Sequence, residues 1–418
     1  MTNQYLFVCL RLAAKLIAFS RLFALVFLFG SQSEYSSAIF FLSTGLAFAS
    51  PVGDYISINI VKPSDTSPLG QIALSEVIAK LPILMTALAL FASVQAFSVI
   101  NSAIAPEHNS SVAHICIIYA IFVSFLTALR LPLTTAYFCR HSLTEFSFVQ
   151  IVSGLAGLAI VFIFKTSAIY ALFFSLIAQE LLLLSWVVVR IDMKISCVLG
   201  ELSPIKYALP LRNVSKSAKG ILPLLTSFLF AFFTLLEYTA ANTISQTMVI
   251  AVAYRNIIAT NLDYLGGFQE KAIFCQKNND KNLYRKLVKS KRICHVAAFV
   301  LLLSVWWFCI SFQPSFGHVS TDLLQKTLFL TAITSFSSIF TIEEATYNRA
   351  LVFSGKQPHA LLAMAASLAV PLCFWLLNVR LSLIGPLFGI GMLYYLQSYI
   401  RVFLMKIFMR KGLVFSVP

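Results

Sequence analysis

Charge is what this 418-residue chain has least of: 11% of its residues are Asp, Glu, Lys or Arg, under half the usual share of a soluble domain. Acids are the scarcer sign, 16 against 31 Lys and Arg. With 59% apolar and 14% aromatic residues, the chain has too little polar surface to cover its apolar mass in water, which excludes a soluble enzyme. Intrinsic disorder is excluded for the opposite reason, since nothing here is polar enough to stay solvated. No GxGxxG, Walker A or HExxH pattern occurs, so neither a dinucleotide, an ATP nor a zinc-protease site is expected. The eight cysteines never fall within four residues of one another, which leaves no zinc or redox spacing. No cofactor, metal or disulfide is therefore expected. The six histidines are scattered as well, and glycine is sparse at 16.

What the chain has instead is hydrophobic length. Apolar windows fall at 8–30, 36–60, 73–98, 112–138, 146–164, 168–189, 220–241, 243–262, 293–312, 323–342, 359–378 and 383–405. Each is long enough to cross a bilayer as a helix of about 20 residues. The predicted fold is all-α and integral to the membrane, with twelve transmembrane helices. The eighth window is the weakest, diluted by Asn256, Thr260 and Asn261. Near the start, Ala47-Phe48-Ala49 has a signal-peptidase form, but it lies far beyond the first apolar run, Leu22 to Phe29, so a retained first span is expected.

The net charge of +15 would suggest nucleic acid in a soluble protein; in a membrane protein it sets orientation, and no nucleic-acid partner is expected. With the N-terminus in the cytoplasm, 21 Lys and Arg fall in cytoplasmic connections and only three, Lys165, Lys326 and Arg380, on the other side. Both termini are then cytoplasmic. Two cytoplasmic connections are long, 191–218 and 266–292. The second contains Tyr284-Arg285-Lys286-Leu287-Val288-Lys289-Ser290-Lys291-Arg292. It reads either as an interfacial amphipathic helix lying on anionic lipid or as a charge cluster that fixes topology.

The halves repeat in spacing. Ala14-Lys15 precedes a run ending at Glu34-Tyr35, and Ala218-Lys219 precedes one ending at Glu237-Tyr238; Tyr137 and Arg140 close span four as Tyr347 and Arg349 follow span ten. The predicted organisation is an N-terminal six-helix lobe at 1–190, a cytoplasmic linker at 191–218 and a C-terminal six-helix lobe at 219–418. Six is even, so the lobes enter from the same side and are related by an axis along the membrane normal. Two such lobes around a central cleft suit alternating access. Prolines at Pro82, Pro132, Pro223, Pro371 and Pro386 offer candidate bends.

Particular residues carry a family resemblance. Phe29-Gly30-Ser31-Gln32-Ser33-Glu34-Tyr35 resembles the loop after span one of bacterial polysaccharide flippases of the O-antigen type, members of the multidrug/oligosaccharidyl-lipid/polysaccharide exporter (MOP) superfamily. Asp54 is placed like that family's acidic residue in span two, Ala253-Tyr254-Arg255 like its span-eight element, and Gly355 like its glycine after span ten. Ser36 and Glu237 depart from the glycine and aspartate usual there. The resemblance implies a flippase that moves undecaprenyl-diphosphate-linked oligosaccharide repeat units across the bacterial inner membrane, for O-antigen, capsule or exopolysaccharide assembly. It also implies a polysaccharide polymerase and glycosyltransferases as working partners.

Charges inside the spans bear on the cargo independently, because each costs at least about 2.5–3.5 kcal/mol at mid-bilayer. Arg21, Arg130, Arg255 and Glu180 fall deep, Lys15 is intermediate, and Arg11, Lys80 and Arg401 sit near the cytoplasmic boundary, within snorkelling reach. Positions 11, 15 and 21 share an arc of roughly 120° on a helical wheel. Lys15, Arg21, Arg130 and Arg255 are therefore the candidate cavity residues, since guanidinium forks suit a diphosphate. Competing readings pair Arg21 with Glu180 and Arg255 with Asp263. Glu180 is either an ion relay or an ion-pair partner. Asp54, Glu76, Asp263, Glu343 and Glu344 are expected close to the cytoplasmic edge, solvated or capping. With no nucleotide site, an ion gradient or consumption of the product would give transport its direction. Three rival functions remain: an ion-coupled multidrug or organic-cation exporter of the same superfamily, which should carry deep carboxylates; a membrane glycosyltransferase or polymerase, which normally carries a large extracytoplasmic loop; and a purely structural partner of the assembly machinery, which would need neither buried arginines nor the repeat.

Overall fold

The computed structural model describes residues 2–29, 32–60, 69–100, 110–138, 143–191, 250–253, 255–256, 258–259, 262, 267–268, 283–311, 329, 331–353, 356–370 and 386–412. Among the described residues every regular element is helical and no strand occurs. The chain divides into two units, Met1–Leu236 and Glu237–Pro418. Apart from Ile191, the expected linker at 191–218 lies outside the described residues, as does the seventh window at 220–241.

The first unit holds six helices, one per predicted window: α1 (Thr2–Phe29), α2 (Ser33–Ile60), α3 (Leu69–Ile100), α4 (Ser110–Phe138), α5 (Leu143–Ile163) and α6 (Ala168–Arg190). Several run past the apolar windows at one or both ends. A 28-residue helix such as α1 is about 42 Å long, against about 30 Å of hydrocarbon, so its ends reach the headgroups. Cys9–Phe29, Ala73–Gln95, Val112–Phe138, Thr144–Ile163 and Ala168–Arg190 are long and apolar enough to cross a membrane. Ala47-Phe48-Ala49 lies buried inside α2. The α5–α6 connection is a tight turn in which Ser167 N donates to Phe164 O at 3.0 Å.

Small residues let α2 and α4 approach closely. A Cβ on Gly45 would sit 2.8 Å from Ser124 Oγ, and one on Gly53 would sit 2.9 Å from Leu131 Cδ1 and 3.0 Å from the Ala128 carbonyl. Pro132, one turn beyond Ala128 in α4, removes the helical donor that this carbonyl would otherwise accept. This is membrane packing by small side chains rather than by hydrophobic expulsion. A core around Val52, Leu84, Leu133, Tyr137, Phe146 and Val187 joins α2 through α6. Outward faces carry exposed Met85, Phe122, Phe162 and Ile163, which water would not tolerate in such number but lipid does.

In the second unit, the described positions between Ile250 and Leu262 are helical, which puts helix in the weak eighth window. Gly267 has φ 58°, a left-handed turn that suits glycine. Then follow α7 (Leu283–Ser311), a 3₁₀ turn (Phe336–Ile339) leading into α8 (Phe340–Phe353), α9 (Gln357–Ser367) and α10 (Pro386–Gly412). One expectation is corrected here. The basic segment 284–292 is not a separate interfacial helix, because it continues without a break into span nine as α7. Leu287, Cys294, Ala298 and Leu302 are buried along a single stripe that runs through both parts. That stripe holds the basic turns on the axis of the span.

Candidate functional site: buried cations in the helical units

Helix α1 turns three cations inward. Arg11, Lys15 and Arg21 are 5%, 8% and 8% exposed, so the arc read from the wheel is a buried face. Arg11 corrects its expectation: it is buried in the unit rather than reaching out to the boundary. Arg21 points toward α5 and α6. Gly157 of α5 leaves it room, since a Cβ there would meet Arg21 Nη1 at 3.1 Å and the Ser175 carbonyl at 3.0 Å. Arg21 Nη1 donates to Oε1 of Gln179 on α6.

The next residue of α6 holds a different arginine. Both Nε and Nη2 of Arg130, from α4, donate to the Glu180 carboxylate, the latter at 3.3 Å. Their side chains are 14% and 11% exposed. Glu180 is therefore paired with Arg130. Successive positions on a helix diverge by about 100°, so α6 presents Gln179 to α1 and Glu180 to α4. Lys15, Arg21, Arg130 and Glu180 consequently fall within one unit, with Arg21 and Arg130 joined through neighbouring residues of α6.

Arg255 belongs to the second unit and is 7% exposed. Its Nε donates to Ser337 Oγ at 3.1 Å, in the 3₁₀ turn. That turn lies in a hydroxyl-rich stretch whose side chains fold back on the backbone: Ser335 Oγ donates to Ala332 O at 2.8 Å and Ser337 Oγ to Thr334 O at 2.6 Å. Asp263, the alternative partner, lies outside the described residues, as do the side chains of Asp54 and Tyr254.

Two edge assignments are corrected. Glu344 accepts from Arg401 Nη1 at 3.0 Å, and Arg401 Nε donates to Ser367 Oγ at 3.1 Å. These side chains are only 13% and 15% exposed, so neither is solvated or snorkelling. Glu343 takes Lys291 Nζ at 3.0 Å, and that ammonium lies 5.1 Å from the Tyr347 ring centroid. Glu76 pairs with Lys80 one turn away, at 2.8 Å. Sequence reasoning missed Gln179 and Ser337. The available signals were an amide beside Glu180 in an apolar run and the density of Ser and Thr between 331 and 341. Among the described residues no group of His, Cys, Asp and Glu is arranged to hold a metal.

The long apolar helices define a multi-pass membrane protein. The fold is similar to those of several solved transporters. A eukaryotic MATE transporter, AtDTX14, matches 98% of this chain and 94% of its own, with TM-score 0.57 at 12% identity. A MOP-superfamily transporter from Pyrococcus furiosus matches 97% of this chain and 95% of its own, with TM-score 0.59 at 13% identity. A variant of the Vibrio cholerae MATE transporter VcmN matches 97% and 95%, with TM-score 0.54 at 12% identity. No protein-family model and no curated protein matches the chain by sequence. The chain therefore has the all-α, two-lobed fold of twelve membrane helices read from its sequence.

Proposed function

We propose that the chain is a secondary exporter of the MOP type, working by alternating access between its two lobes. The supporting observation is fold likeness over 97–98% of the chain to MATE and MOP transporters. One further match, with TM-score 0.54, is an outward-facing multidrug resistance MATE transporter. The comparisons thus favour the multidrug exporter over the polysaccharide flippase. Enzymes are not among these structures, which weighs against the glycosyltransferase or polymerase reading.

A second reading has its own observation, the sign of the interior. Among the described residues, the most deeply buried Arg, Lys, Asp and Glu side chains are Arg11, Lys15, Arg21, Arg255 and one acid, Glu180, and the next most buried acid, Glu344, is already paired with Arg401. A site for organic cations calls for the reverse. The Pyrococcus furiosus protein is described by a binding pocket of reverse polarity, from which a different function was inferred. On this reading the cargo is an anionic amphiphile, an undecaprenyl-diphosphate-linked oligosaccharide. Lys15 and Arg21 in the first unit and Arg255 in the second are the candidate diphosphate contacts, each within its own unit, and Arg130 is kept in place by Glu180. Such a flippase would sit in the bacterial inner membrane with both termini cytoplasmic, beside a polymerase and glycosyltransferases.

One experiment separates the readings. Proteoliposomes are loaded either with a fluorescent lipid-diphosphate sugar or with a cationic dye under a proton or sodium gradient. Lipid flipping that Arg21→Ala and Arg255→Ala abolish supports the anionic cargo. Dye export that ignores both substitutions leaves the multidrug exporter standing alone. Movement of neither cargo removes the MOP exporter proposal for these substrate classes.

A further inference from the structure

Helix α7 carries two functions on two faces. Its buried arc, about 100° wide on a helical wheel, holds Leu287, Cys294, Ala298, Leu301 and Leu302. Lys291 lies within that arc and pairs with Glu343 at 3.0 Å. On the opposite arc, about 140° wide, every side chain among the described residues is exposed. Its first turns carry Arg285, Lys286, Lys289 and Arg292, and its later turns carry Val296, Val300 and Trp307, exposed by 69%, 59% and 70%. The same outward stripe therefore changes from cationic to apolar at about residue 293, where the apolar window begins.

That change is the profile of one leaflet read along the helix. The four cations cover about 10 Å of axis, and a headgroup layer is about 5–8 Å thick, within reach of side chains that bend along it. Nor do Arg285, Lys289 and Arg292 serve the helix itself. They stand near its positive end, and its first turn has no acid, so the helix dipole opposes them. Their balance has to come from outside the helix.

We propose that Arg285, Lys289 and Arg292 form a contact site for the phosphate headgroups of anionic glycerophospholipids. The leaflet is the one that the positive-inside bias assigns to the cytoplasm. The site holds α7 at a fixed depth while its inner face stays docked on α8 through Lys291. A cluster that acts only during insertion predicts no dependence of the folded protein on leaflet charge; this site predicts one. The proposal stands whichever cargo the protein carries.

The test uses the intact protein in nanodiscs of phosphatidylcholine, alone or mixed with phosphatidylglycerol. Amide hydrogen exchange across 284–293 should slow in the mixture, and high salt should remove the difference. In Arg285→Gln/Lys289→Gln/Arg292→Gln protein, the preference for retaining phosphatidylglycerol, read by native mass spectrometry, should fall about fivefold per neutralised cation. Lys291→Gln should leave that preference unchanged. Equal exchange of the wild-type protein in both lipids overturns the site, even if the triple variant fails to insert. So does a loss of preference in Lys291→Gln as large as in the triple variant.

Discussion

Each unit ties helices together with a buried arginine–carboxylate pair, but the two pairs are written in opposite order. In the first unit the base is on span four and the acid on span six, Arg130 with Glu180. In the second the acid is on span ten and the base on span twelve, Glu344 with Arg401. The exposures are nearly equal, 14% and 11% against 15% and 13%. If the halves descend from one repeat, what has been kept is the crosslink between its fourth and sixth helices rather than the residue at either end. A carboxylate and a guanidinium buried side by side attract equally from either helix, so the exchange is physically neutral. The more exposed pairs differ by unit too. Arg190–Glu145 in the first is 43% and 46% exposed, whereas Lys291–Glu343 in the second is 14% and 26% exposed.

The comparison breaks most visibly when one partner is removed. Glu180→Ala and Glu344→Ala should each destabilise by about 3–5 kcal/mol, because a buried guanidinium loses its carboxylate; melting in detergent measures this. The charge swap Arg130→Glu/Glu180→Arg gives the first unit the polarity of the second and should recover most of that loss. If it melts no higher than Glu180→Ala, the two pairs are not equivalent. Gly157→Leu should cost about 1–3 kcal/mol by overpacking against the Ser175 carbonyl and displacing Arg21, with no counterpart effect expected on Arg255. Lys291→Gln should cost about 1 kcal/mol, given its partial exposure and ring contact. Arg190→Gln should fall below about 1 kcal/mol, since its pair is screened by water and salt. A larger loss at Arg190 than at Lys291 would reverse the ranking by burial.

Much of the fold was legible because spans are long and lipid accepts little else. The six windows of the first half each became a helix, with ends extended by polar residues that can continue a helix into the headgroups. The second half was less legible where helix and charge overlap. Residues 284–292 are too polar for a hydropathy window, and the unbroken helix with its buried stripe from Leu287 to Leu302 shows that they belong to span nine. The 3₁₀ turn at Phe336–Ile339 was hidden as well, because Ser and Thr are tolerated in membrane helices and reveal a break only through the carbonyls they reach.

At the candidate site the chain by itself determined the cast. A buried cation is costly in lipid, so Lys15, Arg21, Arg130 and Arg255 stood out from composition and depth alone, and the wheel already gave α1 one charged face. The pairings were decided only by tertiary structure. Fifty residues separate Arg130 from Glu180 and 158 separate Arg21 from Gln179. Helical periodicity states which way a side chain points and nothing about which helix stands opposite. That neighbour is set by packing, here by Gly157, whose missing side chain gives Arg21 its path toward α6.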